Sequence, residues 1–152
     1  MSEVDRSLVG TETPPFTVEV ERGAIRRFSE AIGDDNPLFR DPAVARSHGY
    51  ADIVAPPTFP TSFRLPGDPV WISGLDRRRI VAGEMSFETR RPITAGTVLT
   101  CRMRLAGIED KAGRKGVMQL IHQHLEGRDD QGQIVFVAGR TTVYRPAEQS
   151  LA

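Results

Sequence analysis

The side chains able to carry acid–base or nucleophilic chemistry are few and widely spaced. The chain holds three histidines, His48, His122 and His124, and a single cysteine, Cys101. Acid–base catalysis needs titratable groups within hydrogen-bond reach of one another and of the substrate. A metal centre needs three or four ligands brought together. His122 and His124 stand two apart, on one face of a strand, with no further ligand motif nearby. They read as ordinary strand histidines, and no metal is expected. His48 precedes Gly49 and reads as a residue at a helix C-terminus, where the dipole favours it, with acid–base work as the alternative. Asp34, in Gly33-Asp34-Asp35-Asn36-Pro37, is either a turn residue bonding local backbone or a proton-transfer group. Asn before Pro starts turns well. Two basic clusters, Arg77–Arg79 and Arg90-Arg91, match phosphate geometry or form solvated surface.

The elements that must position these residues follow from periodicity. Phe16, Val18 and Val20 alternate, predicting a strand over residues 16–21. Ile25, Phe28 and Ile32, widened by Ala24 and Ala31, form one helical stripe, and Gly33 stands where a helix ends. Asp41-Pro42 opens a second short helix, with Asp at the N-cap and Pro at N1, and Gly49 closes it. Residues 54–74 contain Pro56, Pro57, Pro60, Pro66 and Pro69. An interior proline costs about 3 kcal/mol, so only a short helix around residues 58–65 fits, with a loop over 66–76. Strands of alternating character follow near residues 84–90 and 99–105, then 116–128 and 133–145, in a meander with turns at 95–96, 110–113 and 129–132.

The fold class predicted is α+β: an antiparallel sheet whose inner face is covered by helices from the first half. A length of 152 residues suits one domain. Residues 1–15 read as an N-terminal arm, 16–146 as the domain and 147–152 as a tail. Acidic and basic residues balance at 20 each, so nothing favours nucleic acid or an anionic membrane. One cysteine permits no intrachain disulfide. No segment has the pattern of a signal peptide, and no apolar run approaches the roughly 20 residues of a bilayer span. A cytoplasmic location is the expectation.

Residues 28–59 read FSEAIGDDNPLFRDPAVARSHGYADIVAPPTF. This run resembles the signature of the MaoC-like R-specific enoyl-CoA hydratase / 3-hydroxyacyl-thioester dehydratase family, Gly-Asp-x-Asn-Pro-x-His-x-Asp followed by Ile-Ala-His-Gly. Residues 83–96, GEMSFETRRPITAG, resemble that family's next strand and turn. The resemblance implies a hot-dog fold, a sheet wrapped around a helix and paired as a double hot-dog, with acyl-CoA thioesters as substrates, water as co-substrate, no metal or redox cofactor, and a place in fatty-acid metabolism. It implies that Asp34 matches the catalytic aspartate and Asn36 the motif asparagine. The histidine of the pair is replaced by Phe39, which moves no proton. The Ala-His-Gly segment becomes Ala55-Pro56-Pro57, so the residue offering an oxyanion-hole amide is Pro57, which has no N–H.

Both losses resemble a histidine-lacking subgroup that pairs with a catalytic hot-dog partner and contributes acyl-chain binding. Its members often carry Ala-Pro-x-Thr-Phe, here Ala55-Pro56-Pro57-Thr58-Phe59. On that reading Asn36, Phe39, Ala55, Pro57, Thr58, Phe59, Trp71, Arg90 and Arg91 bind substrate. Trp71 caps the acyl tunnel or lies at a subunit contact, and Arg90 and Arg91 hold phosphate. The competing readings are a self-sufficient homodimeric hydratase using Asp34, a ligand-binding or regulatory hot-dog protein, and a thioesterase. The last needs a carboxylate on the central helix, and residues 58–65 contain none. Phe39→His is expected to raise any hydratase activity only weakly, because a lost oxyanion donor typically costs about 100- to 1,000-fold. Initial rates with trans-2-enoyl-CoA check this, and ordinary enzyme rates from that single change would remove Pro57 from the account.

Overall fold

The computed structural model describes residues 3–114 and 116–146. Five strands, β1 (Phe16–Glu19), β2 (Ile80–Thr89), β3 (Val98–Gly113), β4 (Gly116–Arg128) and β5 (Ile134–Tyr144), form one antiparallel sheet in the order β1-β3-β4-β5-β2. Three short α-helices, α1 (Arg22–Ala31), α2 (Pro42–Ser47) and α3 (Val70–Ser73), lie in the first half of the chain. The predicted tail, residues 147–152, lies outside the described residues.

Alternation decides which face of the sheet is buried. On β3, Leu99, Cys101, Met103 and Leu105 are buried while Thr100, Arg102 and Arg104 are exposed. The same inner face continues through Ile121 and Leu125 of β4 and Phe136, Ala138 and Tyr144 of β5. The cover is a chain of edge-to-face rings running from α1 to the sheet. Phe28 meets Phe59 at 5.5 Å, Phe59 meets Phe63 at 5.4 Å, and Phe63 meets Phe136 at 5.6 Å.

Four expectations are corrected. First, β2 pairs with β5, on the far side of the sheet from β1, and does not lead into a meander. The connection from β2 to β3 is too committed elsewhere to form a hairpin. The Ala55 N–H donates to Ile93 O at 2.7 Å, and the Gly96 N–H donates to Val20 O at 2.8 Å. Second, β3 runs through the predicted turn at 110–113, and Gly113 pairs with Gly116. Its last five residues, 109–113, continue the strand and are exposed. Third, the expected helix near residues 58–65 is only a 3₁₀ turn, Phe59–Ser62, and the backbone is extended again at Phe63. Fourth, the expected loop over 66–76 contains α3. Pro66 and Pro69 precede that helix, where proline does not obstruct the ladder, and burial of Trp71 holds it down.

The segment read as an N-terminal arm lies along β3. Gly10 N–H donates to Leu105 O at 2.8 Å, Leu105 N–H to Thr11 O at 3.0 Å, and Thr13 N–H to Met103 O at 2.8 Å. Val4 is buried, and its N–H donates to Gln119 Oε1. The β3 side of the sheet is therefore covered, whereas among the described residues β2 has no neighbour on its outer side and exposes Val81 and Met85.

A methyl group added at Gly127 would lie 2.1 Å from Phe136 Cε1. That ring is buried and wedged against Phe63, so it has nowhere to swing. Gly127→Ala is expected to destabilise the fold by about 1–3 kcal/mol, the usual cost of overpacking. The urea midpoint reads this, and an unchanged midpoint would show that the ring yields freely.

Candidate functional site

The residues of the signature region form one continuous clamp. Gly33, with φ +72°, ends α1 in the left-handed conformation that glycine adopts without strain. The Asp34 N–H then donates back to Ser29 O at 2.9 Å. Two side-chain turns follow in tandem. Asp34 Oδ1 accepts the Asn36 N–H at 3.0 Å, and Asn36 Oδ1 accepts the Leu38 N–H at 3.0 Å. Asn36 thereby caps the 3₁₀ turn Pro37–Phe39. Arg40 Nη2 donates to the Asp34 carbonyl at 3.0 Å, and the Arg40 carbonyl takes Arg26 Nε at 3.1 Å. The turn drives Phe39 into the core.

This turn holds the next segment in place. Val54 N–H donates to Leu38 O at 2.9 Å, and Ala95 N–H donates to Ile53 O at 3.0 Å. Residues 53–55 are thus pinned between the Pro37–Phe39 turn and residues 93–95. Asp52 anchors the same segment from the other side, accepting Arg22 Nε at 2.8 Å. That hydrogen bond is the main reason its carboxyl titrates at about 2, below the ordinary 3.8.

Beyond Ala55 the backbone offers few donors. Pro56, Pro57 and Pro60 have none, Ala55 N–H is used by Ile93 O, and Phe59 N–H is used by Pro56 O. Thr58 is exposed, next to the exposed Pro57, at the N-cap of the Phe59–Ser62 turn. Ala55 and Phe59 are buried.

The remaining predicted site residues are not gathered here. Arg90 pairs with Glu88 and Arg91 with Asp129, whose carboxyl is lowered by that arginine. His48 is exposed and folded back on α2, with Nδ1 2.9 Å from Val44 O. His122 Nδ1 lies 3.1 Å from Thr141 Oγ1, on the outer face of the sheet. Among the described residues no group of acids, histidines or cysteines is arranged to hold a metal ion. Trp71 is buried rather than presented at a surface, and its Nε1 donates to Gln123 Oε1 at 2.9 Å.

The inner face of the sheet carries a cleft that the sequence reading did not find. It has a volume of about 460 Å³ and runs between residues 61–72 and strands β3, β4 and β5, with Phe63, Ile72 and Met103 beside Gln123, Arg140 and Thr142. Gln123 Nε2 donates to Thr142 Oγ1 at 3.0 Å. Asp34, Asn36 and Phe39 do not line it. A sequence signal existed: Gln119 and Gln123 occupy the same phase of β4 as Ile121 and Leu125, so polar groups stand where apolar ones are the rule.

The family described as FAS1-like, dehydratase domain region matches residues 7–138. The chain belongs to that family. It is also similar to proteins called UPF0336. One from Streptomyces avermitilis is 38% identical over 151 residues, covering 96% of this chain and 98% of that protein. One from Parafrankia sp. is 45% identical over 114 residues, covering 71% of this chain and 72% of that one. The FAS1-like dehydratase-region chain shares the hot-dog fold of the MaoC-like dehydratases. A MaoC-like dehydratase superposes with TM-score 0.77 at 26% identity, over 94% of this chain and 44% of the other. The C-terminally truncated HadBC (3R-hydroxyacyl-ACP dehydratase) complex of Mycobacterium tuberculosis superposes with TM-score 0.72 at 23% identity, over 90% and 96%. The ChsH1-ChsH2 complex of the same organism gives 0.70 at 22% identity, over 92% and 88%. No helix among the described residues is long and apolar enough to cross a membrane.

The Arg22–Asp52 pair makes a pH prediction. A depressed carboxyl stabilises the fold above its ordinary pKa and loses that contribution as pH falls through its folded value. Asp52→Asn is expected to lower the melting temperature near pH 7, with the gap to wild type closing between about pH 4 and 2. A gap that stays constant over that range would separate Asp52 from the acid sensitivity of the fold.

Proposed function

We propose that this chain is the acyl-thioester-binding, non-catalytic subunit of a hydratase/dehydratase pair, working beside a catalytic MaoC-type hot-dog chain on enoyl or 3-hydroxyacyl thioesters. The observation that carries this reading is the burial of Phe39 at the position where Asp34 needs a proton-transfer partner. Hydration requires a base to take the proton of water and an acid to protonate the α-carbon. Asp34 has no histidine among its contacts and uses its carboxylate to hold the Asn36 turn. The missing amide at Pro57 points the same way, since a developing oxyanion needs a preorganised donor.

The free outer edge of β2 supports a partner. An unpaired edge bearing exposed Val81 and Met85 is a template for a strand from a second chain. Two of the similar structures are two-chain complexes, HadBC and ChsH1-ChsH2. Light scattering is the test of assembly, and a monomer across micromolar concentrations, with a partner present, counts against it.

A self-sufficient homodimer using Asp34 is the second reading, favoured by the partial exposure of that carboxylate. The assay that separates the two is hydration of trans-2-enoyl-CoA by the purified chain, alone and with a hot-dog protein carrying an intact Asp-x-Asn-Pro-x-His. Activity is expected only from the pair. In that pair, Asp34→Asn is expected to change the rate by less than about threefold, whereas loss of a catalytic carboxylate costs about 100- to 10,000-fold. A collapse of turnover at unchanged melting temperature and unchanged acyl-CoA affinity would make this chain an enzyme in its own right.

A further inference from the structure

The inner face of the sheet carries a polar row beside the cleft, Gln123 and Thr142, and that row includes an arginine without a counter-charge. Arg140 stands opposite Gln123 across β4–β5. It shares its face with Phe136, Ala138, Thr142 and Tyr144, by alternation along β5. Gln123 and Thr142 are buried; Gln123 donates to Thr142 Oγ1 and accepts from Trp71 Nε1. The Arg140 side chain is half-buried and lines the cleft, and its guanidinium makes no hydrogen bond or ion pair among the described residues. None of its nitrogens is sealed from solvent, for among the described residues the sole buried side-chain polar atom without a partner is Arg40 Nε. The only carboxylate lining the cleft is Asp68, and that is taken by Arg77.

A cleft meant for a plain alkyl chain gains nothing from a guanidinium on its wall, because desolvating an unpaired charge is costly. A ligand with its own anion removes that cost and adds charge-assisted, bidentate hydrogen bonds. Phe63, Leu65, Ile72 and Met103 on the other walls suit methylene groups. We infer that this cleft binds an acyl group bearing a carboxylate remote from its thioester, with Arg140 as the residue that selects it. The inference rests on the acyl-thioester reading above and names the substrate class.

The test is a titration of the full chain with octanoyl-CoA and with its ω-carboxylated counterpart, suberyl-CoA. Trp71 is the only tryptophan and is bonded to Gln123 in the cleft wall, so its fluorescence reports occupancy, with calorimetry as the check. Suberyl-CoA is expected to bind about tenfold tighter or more, the scale of a charge-assisted hydrogen bond. Arg140→Met is expected to abolish the preference and leave octanoyl-CoA affinity within about threefold, while Arg140→Lys keeps part of it. The wild-type comparison stands by itself if Arg140→Met does not fold. Equal binding of the two thioesters, or a preference that survives Arg140→Met, overturns the carboxylate subsite and leaves acyl-thioester binding intact. Binding of neither overturns both readings. Dissociation of an oligomer by Arg140→Met with the preference unchanged would assign the arginine to a subunit contact and also overturn the inference.

Discussion

Everything in this fold depends on covering the inner face of a five-stranded sheet without a long helix to do it. Prolines at 56, 57, 60, 66 and 69 forbid an uninterrupted helix through the segment that crosses that face. The cover is made instead by side chains, the ring series Phe28, Phe59, Phe63 and Phe136. Each buried Phe contributes about 1.5–3 kcal/mol of transfer free energy, and each edge-to-face contact about 0.5–1.5 kcal/mol more. Prolines assist by restricting the unfolded chain where the native backbone already suits them.

A cover built from a few rings is discontinuous, and the cleft beside Gln123 and Arg140 follows from that. Where Phe63 and Trp71 stop, the sheet is left open over about 460 Å³. The polar row on β4 and β5 is tolerated there because each buried member has a partner: Trp71 donates to Gln123, and Gln123 donates to Thr142. Replacing any one of these with an apolar residue would strand another, which is the usual expense of a partly dismantled buried network.

The two sides of the sheet are treated differently. Residues 10–13 bond to β3, and Arg6 reaches Asp110 and the Ile108 carbonyl, so that side is closed within the chain. β2 is bulged at Gly83, where a Cβ would lie 2.9 Å from Thr141 O, and its outer backbone is free. A surface strand exposing both faces is marginal in isolation. Its single neighbour among the described residues, β5, holds it over nine register pairs on the two sides of that bulge.

Much of this was legible in the sequence, and the reason is locality. Caps, turns and alternation are set by near neighbours, so Asp41-Pro42, Gly33, Gly49 and the span of β4 could be read directly. The hot-dog fold itself came from the resemblance of residues 28–59 to a family signature, whose Asp34 and Asn36 turns close within five residues. What sequence could not decide was where distant pieces meet. The placement of β2 beside β5, the lie of residues 10–13 along β3, the anchoring of α3 by Trp71 and the convergence of Gln123, Arg140 and Thr142 on one cleft all depend on contacts between residues far apart in the chain. Periodicity says which face a side chain takes; only the packed sheet says what stands opposite it.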